Sequence, residues 1–246
     1  MKPTLIVANW KMNKLSKDAH EFALKIISQV KILKNMEIVL CPPFTLLHEL
    51  KITLMGCPVK IGSQDAFYEK AGAFTGEISA GMLKDAGCEY VLIGHSERRQ
   101  YFHETDDIVN KKIIAVIEAG LKPIMCIGEM LEHRKADRTF EIIDTQIKAG
   151  LKSLSGENLK ELSVAYEPVW AIGTGINATP EQAEEVHAFI RGAVERDFSL
   201  SDIRILYGGS VTEANSKSLL AKKNIDGLLV GGASLDADRF AKIIRN

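Results

Sequence analysis

Short apolar runs rich in β-branched and aromatic residues recur eight times along the chain: TLIVANW (4–10), EIVLC (37–41), VKIGSQ (59–64), EYVLIGH (89–95), LKPIMCIG (121–128), LSVAYE (162–167), IRILYGG (203–209) and DGLLVGG (226–232). Each has the length and residue preference of a buried β-strand. Between them lie stretches with apolar residues at helical spacing. Val109, Ile113, Val116 and Ile117 form one such stripe, and Gly120 ends it. Ala183, Val186, Ile190 and Val194 form another. Its start is written in Thr179, Pro180 and Gln182: an N-cap hydroxyl, a proline at the first helical position and an amide placed to close a capping box.

Strands that alternate with helices must each be re-entered from the same end, which makes the sheet parallel. Eight such units, with no Pro-, Ser- or Gly-rich linker between them, predict an α/β fold: one (β/α)8 barrel domain spanning residues 1–246. The competing architecture is an open doubly wound sheet. Its GxGxxG turn after the first strand is missing, and NWKMN (9–13) stands there instead.

In a closed parallel barrel, chemistry gathers at the C-terminal ends of the strands, with phosphate commonly held after the seventh and eighth. The polar residues that terminate the apolar runs are therefore the candidates. Period-two alternation puts Leu5, Val7, Asn9 and Lys11 on one face. A lysine aligned with core positions is expensive to bury unpaired. It either reaches into a site, pairs with an acid, serves as a Schiff-base nucleophile or sits at a solvated strand end. Val91, Ile93 and His95 are expected to share a face, with a helix beginning directly after His95. The free N–H groups of that helix start oppose a positive charge on the imidazole. Glu97 is within reach of Lys11, and Arg98 of Glu104.

Ser163, Ala165 and Glu167 alternate along the sixth run, and Pro168 keeps Glu167 out of the helical region. The fourth and sixth strands are two apart, and alternate strands feed the same interior layer, so His95 and Glu167 are expected to face one ligand. The stretch that follows, PVWAIGTG (168–175), has proline at one end, glycines at the other and an apolar middle. It reads as a lid with two hinges, or as a loop packed in place. Paired glycines at 208–209 and 231–232 end the seventh and eighth runs, where backbone N–H groups can approach an anion closely. Gly173 is placed to add another N–H.

Composition removes several classes. With 31 basic and 32 acidic residues the formal net charge is −1, so no cationic surplus points to nucleic acid or an anionic membrane. The chain has no apolar run of spanning length, and polar residues interrupt its N-terminal run too early for a secretory signal. The cysteines at 41, 57, 88 and 126 match neither CxxC pairs nor a disulfide framework, and read as free thiols in a cytoplasmic protein. No metal or cofactor motif is present, so none is expected.

NWKMN (9–13), GAFTGE (72–77), GHSERR (94–99), CIGE (126–129), AYEPVWAIGTG (165–175), YGGS (207–210) and LVGGASL (229–235) occur in the order, and over the length, of the triosephosphate isomerase family, which this chain closely resembles. The resemblance implies a TIM barrel that interconverts dihydroxyacetone phosphate and D-glyceraldehyde 3-phosphate in glycolysis and gluconeogenesis, without a cofactor. It implies Glu167 as base, neutral His95 as electrophile and Lys11 as the cation beside the substrate, with Asn9 near it. Gly173, Ser210, Gly231 and Gly232 become the phosphate-binding backbone, and Ser96 and Glu97 supporting residues. The segment 64–77, with Phe67, Tyr68, Phe74 and Thr75, resembles the loop that inserts into a partner subunit, which predicts a homodimer. Departures are Asp65, where Asn is common, and Met130 and His133 in a stretch often more polar or acidic. Two other readings stand beside this one: a Schiff-base aldolase using Lys11, and a phosphate-binding barrel without catalysis.

Overall fold

A computed structural model describes residues 2–30, 35–171 and 178–246. Eight parallel strands run β1 (Thr4–Asn9), β2 (Met36–Cys41), β3 (Lys60–Ser63), β4 (Tyr90–Ile93), β5 (Lys122–Ile127), β6 (Ser163–Tyr166), β7 (Arg204–Tyr207) and β8 (Gly227–Val230). Each pairs with the next, and β8 returns to β1 through Leu5↔Gly227 to Ala8↔Val230, closing the barrel. The helices are α1 (Ser16–Val30), α2 (Leu47–Thr53), α3 (Ala80–Asp85), α4 (Ser96–Phe102), α5 (Asp106–Glu118), α6 (Leu131–Lys135), α7 (Thr139–Gly150), α8 (Pro180–Phe198), α9 (Ser216–Leu220) and α10 (Ala237–Arg245).

Two cores follow from strand alternation. Leu5, Val7, Val39, Tyr90, Leu92, Ile124, Ala165, Leu206 and Leu229 fill the barrel interior with Cys41 and Cys126. Their chain neighbours Ile6, Ala8, Val91, Ile93, Val164 and Tyr166 face the helices. Of the α5 stripe, Val109, Ile113 and Val116 are buried and Ile117 is half-buried, while Ala183, Val186, Ile190 and Val194 are all buried on α8. Gly120 takes φ 72° just past α5. The capping box at α8 forms, with Gln182 N–H donating to Thr179 Oγ1 at 3.2 Å and Thr179 N–H to Gln182 Oε1 at 2.9 Å. All four cysteines are free.

Every strand except β2, which ends with its run at Cys41, stops short of the sequence run that announced it. The polar and glycine residues closing the runs leave the ladder and build the mouth. Alternation at the fourth strand also needs correction. Val91 and Ile93 point to the helices, so continued alternation would send His95 outward with them. Gly94 intervenes at φ 72°, a left-handed turn that glycine adopts without penalty, and it turns His95 to the mouth.

Behind that mouth lies a buried charge network. Lys112, 3% exposed, sits between Asp65 and Glu104, with its Nζ 2.7 Å from Asp65 Oδ1 and bonded to Glu104 Oε1. Arg98 Nε lies 2.9 Å from Asp65 Oδ2 and 3.4 Å from Glu104 Oε1. Burial is the largest influence on Asp65, and with Glu104 beside it outweighs both cations, raising its pKa from 3.8 to about 6. An acid whose pKa is higher in the folded than in the unfolded chain binds its proton more tightly when folded. Ionised Asp65 therefore subtracts stability above about pH 6, and the cost fades as pH falls toward 3.8. Asp65→Asn should raise the unfolding free energy at pH 8, read as a higher urea midpoint, by on the order of 1–3 kcal/mol, and by less at pH 5. An unchanged or lower midpoint at pH 8 contradicts this reading.

Candidate active site

The mouth at the C-terminal ends of the strands holds a cavity of about 350 Å3. Asn9, Lys11, His95 and Glu167 line it, together with Ser210, Gly231 and Gly232. Sequence reasoning selected these seven, and the fold brings them together. Gly173 lies outside the described residues, as does the 172–175 part of the expected lid. Thr75 is exposed on the 64–77 loop, away from this lining.

Glu167 is the most enclosed of the polar groups, at 2% exposure, and His95 is 6% exposed. Glu167 extends the interior face of β6 past its end, following Ser163 and Ala165 as expected. Its Oε1 lies 2.9 Å from His95 Nε2, and its Oε2 accepts the Ser96 N–H at 2.9 Å. Burial alone pushes its pKa up. His95, the Ser96 N–H and Lys11 together outweigh that and hold the carboxyl below its ordinary range, so it is ionised at neutral pH.

His95 caps α4. Its Nδ1 accepts the Glu97 N–H at 3.3 Å, which leaves Nε2 as the nitrogen that carries the proton toward Glu167. Burial lowers its proton affinity, but the adjacent Glu167, by charge and by hydrogen bond, carries the net shift upward. That shift depends on the present position of Glu167.

Lys11 reaches the site by a route that alternation does not foresee. It has φ 53°, a left-handed conformation that side chains seldom adopt. Three contacts hold it there. Its N–H donates to Asn9 Oδ1 at 3.0 Å, its carbonyl accepts Gln64 Nε2–H at 2.8 Å, and its Nζ meets Glu97 Oε1 at 2.7 Å. The expected Lys11–Glu97 and Arg98–Glu104 pairs are both present.

Just after β8 a single 3-10 turn (Gly232–Leu235) begins at the cavity lining, and the first N–H groups of such a turn have no partner within it. Ser234 stabilises the turn, its Oγ donating to Gly231 O at 2.7 Å. A side chain at Gly231 would meet Lys11 Cε at 3.6 Å. The glycines thus leave open space beside the lysine for an anion.

Sequence reasoning missed a second buried acid. Glu129 is fully buried just after β5, where its Oε1 accepts the Tyr166 hydroxyl at 3.1 Å and the Trp170 indole N–H at 2.9 Å. Arg134 lies 3.6 Å from the same oxygen. The signal that singled out Glu167, a lone carboxylate closing an apolar run, was equally present at Glu129. Gly128 beside it packs directly on the Glu167 backbone, and a Cβ there would overlap the Glu167 carbonyl oxygen. Among the described residues, no group of three or more His, Cys, Asp or Glu could hold a metal ion, and no helix is long and apolar enough to cross a membrane.

The family model described as triosephosphate isomerase matches residues 4–246. A relative named triosephosphate isomerase from Geobacter metallireducens is 52% identical over 247 residues, spanning 99% of this chain and 98% of the relative. One of the same name from Aquifex aeolicus is 50% identical over 242 residues, spanning 98% of each. The crystal structure of triosephosphate isomerase from Bartonella henselae superposes with a TM-score of 0.89 at 37% identity, covering 99% of this chain and 98% of that one.

The Gly128 contact gives a direct test of the geometry. Gly128→Ala must push the Glu167 backbone away from β5, at a stability cost of about 1–3 kcal/mol for overpacking. Turnover per folded molecule should fall at least tenfold, measured beside a thermal melt. Full turnover in the folded variant would mean that the Glu167 backbone position is not critical.

Proposed function

The chain belongs to the triosephosphate isomerase family, and from that premise we propose how its site moves the proton. The protein is an isomerase that interconverts dihydroxyacetone phosphate and D-glyceraldehyde 3-phosphate. The reaction shifts a carbonyl by one carbon, so a proton must leave one carbon, an enediolate must persist briefly, and a proton must return to the neighbouring carbon.

Glu167 is the base. The observation that carries this reading is its environment: an ionised carboxylate, 2% exposed, 2.9 Å from the imidazole that faces the same cavity. Both of its oxygens are occupied in the free site, so it must leave Ser96 N–H and His95 Nε2–H to reach a substrate carbon. That departure also frees the Nε2–H of His95. With Glu167 gone, the largest influence raising the His95 pKa is gone too; Glu97 still pulls it upward, opposed by burial, Lys11 and the N–H at Nδ1. The imidazole then stays neutral and polarises the substrate carbonyl as a hydrogen-bond donor. Lys11 supplies positive charge where the oxygen becomes negative, and Asn9 fixes the backbone turn that aims it.

The phosphate sits on Ser210, Gly231 and Gly232, with Gly173 expected to join them. An enediolate beside a phosphate can expel it, and covering the site against water suppresses that loss. The 168–175 segment is suited to that task, anchored at its N-terminal side by the Trp170–Glu129 bond.

A homodimer is part of the proposal. Met12 is 94% exposed, Leu15 76%, and Tyr101 and Phe102 each 65%. They follow β1 and β4 at the same end of the barrel, flanking the β3 loop, where Phe67 stacks on Tyr68 at 4.3 Å and Phe74 stands exposed. A large apolar surface of this kind is what a second copy would cover. The cytoplasm, and a place in glycolysis and gluconeogenesis, fit the reaction and the free thiols.

Glu167→Gln should lower turnover by roughly 10²–10⁴ without unfolding the barrel. Glyceraldehyde 3-phosphate incubated in D2O should acquire deuterium in recovered substrate and product, and borohydride added during turnover should leave Lys11 unmodified. Near-normal turnover in Glu167→Gln removes the base; a trapped lysine replaces the mechanism with Schiff-base chemistry.

A further inference from the structure

Of the GHSERR motif, the proposed mechanism uses His95, Ser96 and Glu97, and Arg98 joins the Lys112 network. Arg99 has no part yet. Its guanidinium is largely enclosed and makes three directed contacts: Nε donates to Gly94 O at 2.8 Å, one terminal NH2 donates to Cys126 O at 3.3 Å, and the other meets Asp106 Oδ1 at 2.6 Å.

The two carbonyls are not arbitrary. The β4–β5 ladder ends at Ile93↔Met125, so Gly94 and Cys126 form the next step, where the left-handed turn at Gly94 takes the chain out of register. Arg99 spans that step in place of a ladder bond. Gly94 is bonded to His95. Cys126 precedes Ile127, whose carbonyl accepts the Glu167 N–H at 2.7 Å. One planar cation therefore ties the backbone that presents His95 to the backbone against which Glu167 is set. The space is closely fitted: a Cβ on Gly94 would meet Val109 at 2.8 Å and Arg99 itself at 3.1 Å. Asp106, at the start of α5, completes the grip on the third side of the fork.

Resting on the assignment of His95 and Glu167 above, we infer that Arg99 is a positioning residue of the isomerase, its guanidinium fixing the separation of the His95 and Glu167 backbones by bridging Gly94 O to Cys126 O. Strand β5 contributes no side chain to the chemistry, yet it stands between β4 and β6, which present His95 and Glu167. Without the bridge, β4 and β5 are hydrogen-bonded among the described residues only through ladder bonds further down. A lysine cannot restore it, because an ammonium lacks the flat fork that satisfies two carbonyls and a carboxylate in one plane. The proposed phosphate-binding groups, Ser210, Gly231 and Gly232, make none of the Arg99 contacts, so the loss falls on the chemical step.

The test uses the full-length protein. Arg99→Lys should lower kcat ten- to a hundredfold, the scale of a misplacement near 1 Å, with KM within about threefold of the parent. Arg99→Ala should lose more. A cavity of about 250 Å3 opens beside Arg99 and gives small cations a route in. Millimolar guanidinium chloride, against matched sodium chloride, should then raise kcat of Arg99→Ala at least tenfold. A purely structural arginine would instead lower the melting temperature while leaving kcat per folded molecule unchanged. Arg99→Lys with kcat within twofold of the parent, a change confined to KM, or a folded Arg99→Ala that guanidinium does not revive would each overturn the inference. Glu167→Gln assayed alongside separates the two claims: if it stays active the site assignment falls, and if it is inactive while Arg99→Lys is fully active only the role of Arg99 falls.

Discussion

A carboxylate with 2% of its surface in contact with solvent needs partners, and Glu167 has two: the Ser96 N–H and the His95 Nε2–H, each at 2.9 Å. Most of the mouth is arranged around that pair of bonds. The N–H comes from the start of α4, and the imidazole comes from the residue that caps it. Both point inward because Gly94 turns left-handed just before them. On the other side, the missing side chain of Gly128 lets β5 lie against the Glu167 backbone, and a Cβ at Gly208 would press on Glu167 Cγ at 3.0 Å. The carboxylate is charged yet buried, and as the proposed base it must exchange these two hydrogen bonds for substrate.

The same economy of space appears at Lys11. A left-handed lysine costs about 1–2 kcal/mol relative to an extended one. It persists because Asn9 takes its N–H, Gln64 takes its carbonyl and Glu97 takes its ammonium. Strain of this kind points the charge across the barrel mouth, toward the open glycine surface at Gly231 and Gly232, where the lysine would otherwise follow the strand into the loop.

Much of this was legible in the sequence because barrels translate order along the chain into order around a ring. Eight apolar runs separated by helical stripes left little choice of fold, and the polar residue closing each run was, by position alone, a candidate for the mouth. Glu167 was found in that way, through plain alternation from Ser163 and Ala165. His95 was found by a wrong intermediate step. Val91 and Ile93 face the helices, and only the φ of Gly94 restores the inward direction. Local backbone handedness is not encoded in hydrophobic period. Glu129 closes its apolar run much as Glu167 does, but the partners that make it a buried anchor, Tyr166 and Trp170, are about 40 residues away and are not visible from the run itself. The Asp65–Lys112–Glu104 network is likewise visible only when the loop after β3 is laid on α5.

The central claim is that His95 works as a neutral donor once Glu167 has left it. Nitrogen-15 NMR of the two imidazole nitrogens, with a two-carbon phosphate-bearing carboxylate occupying the site, observes this state directly. The account predicts a proton on Nε2 and none on Nδ1 across neutral pH, with Glu167 displaced from Ser96. Two protonated nitrogens, an imidazolium in the occupied site, would contradict it.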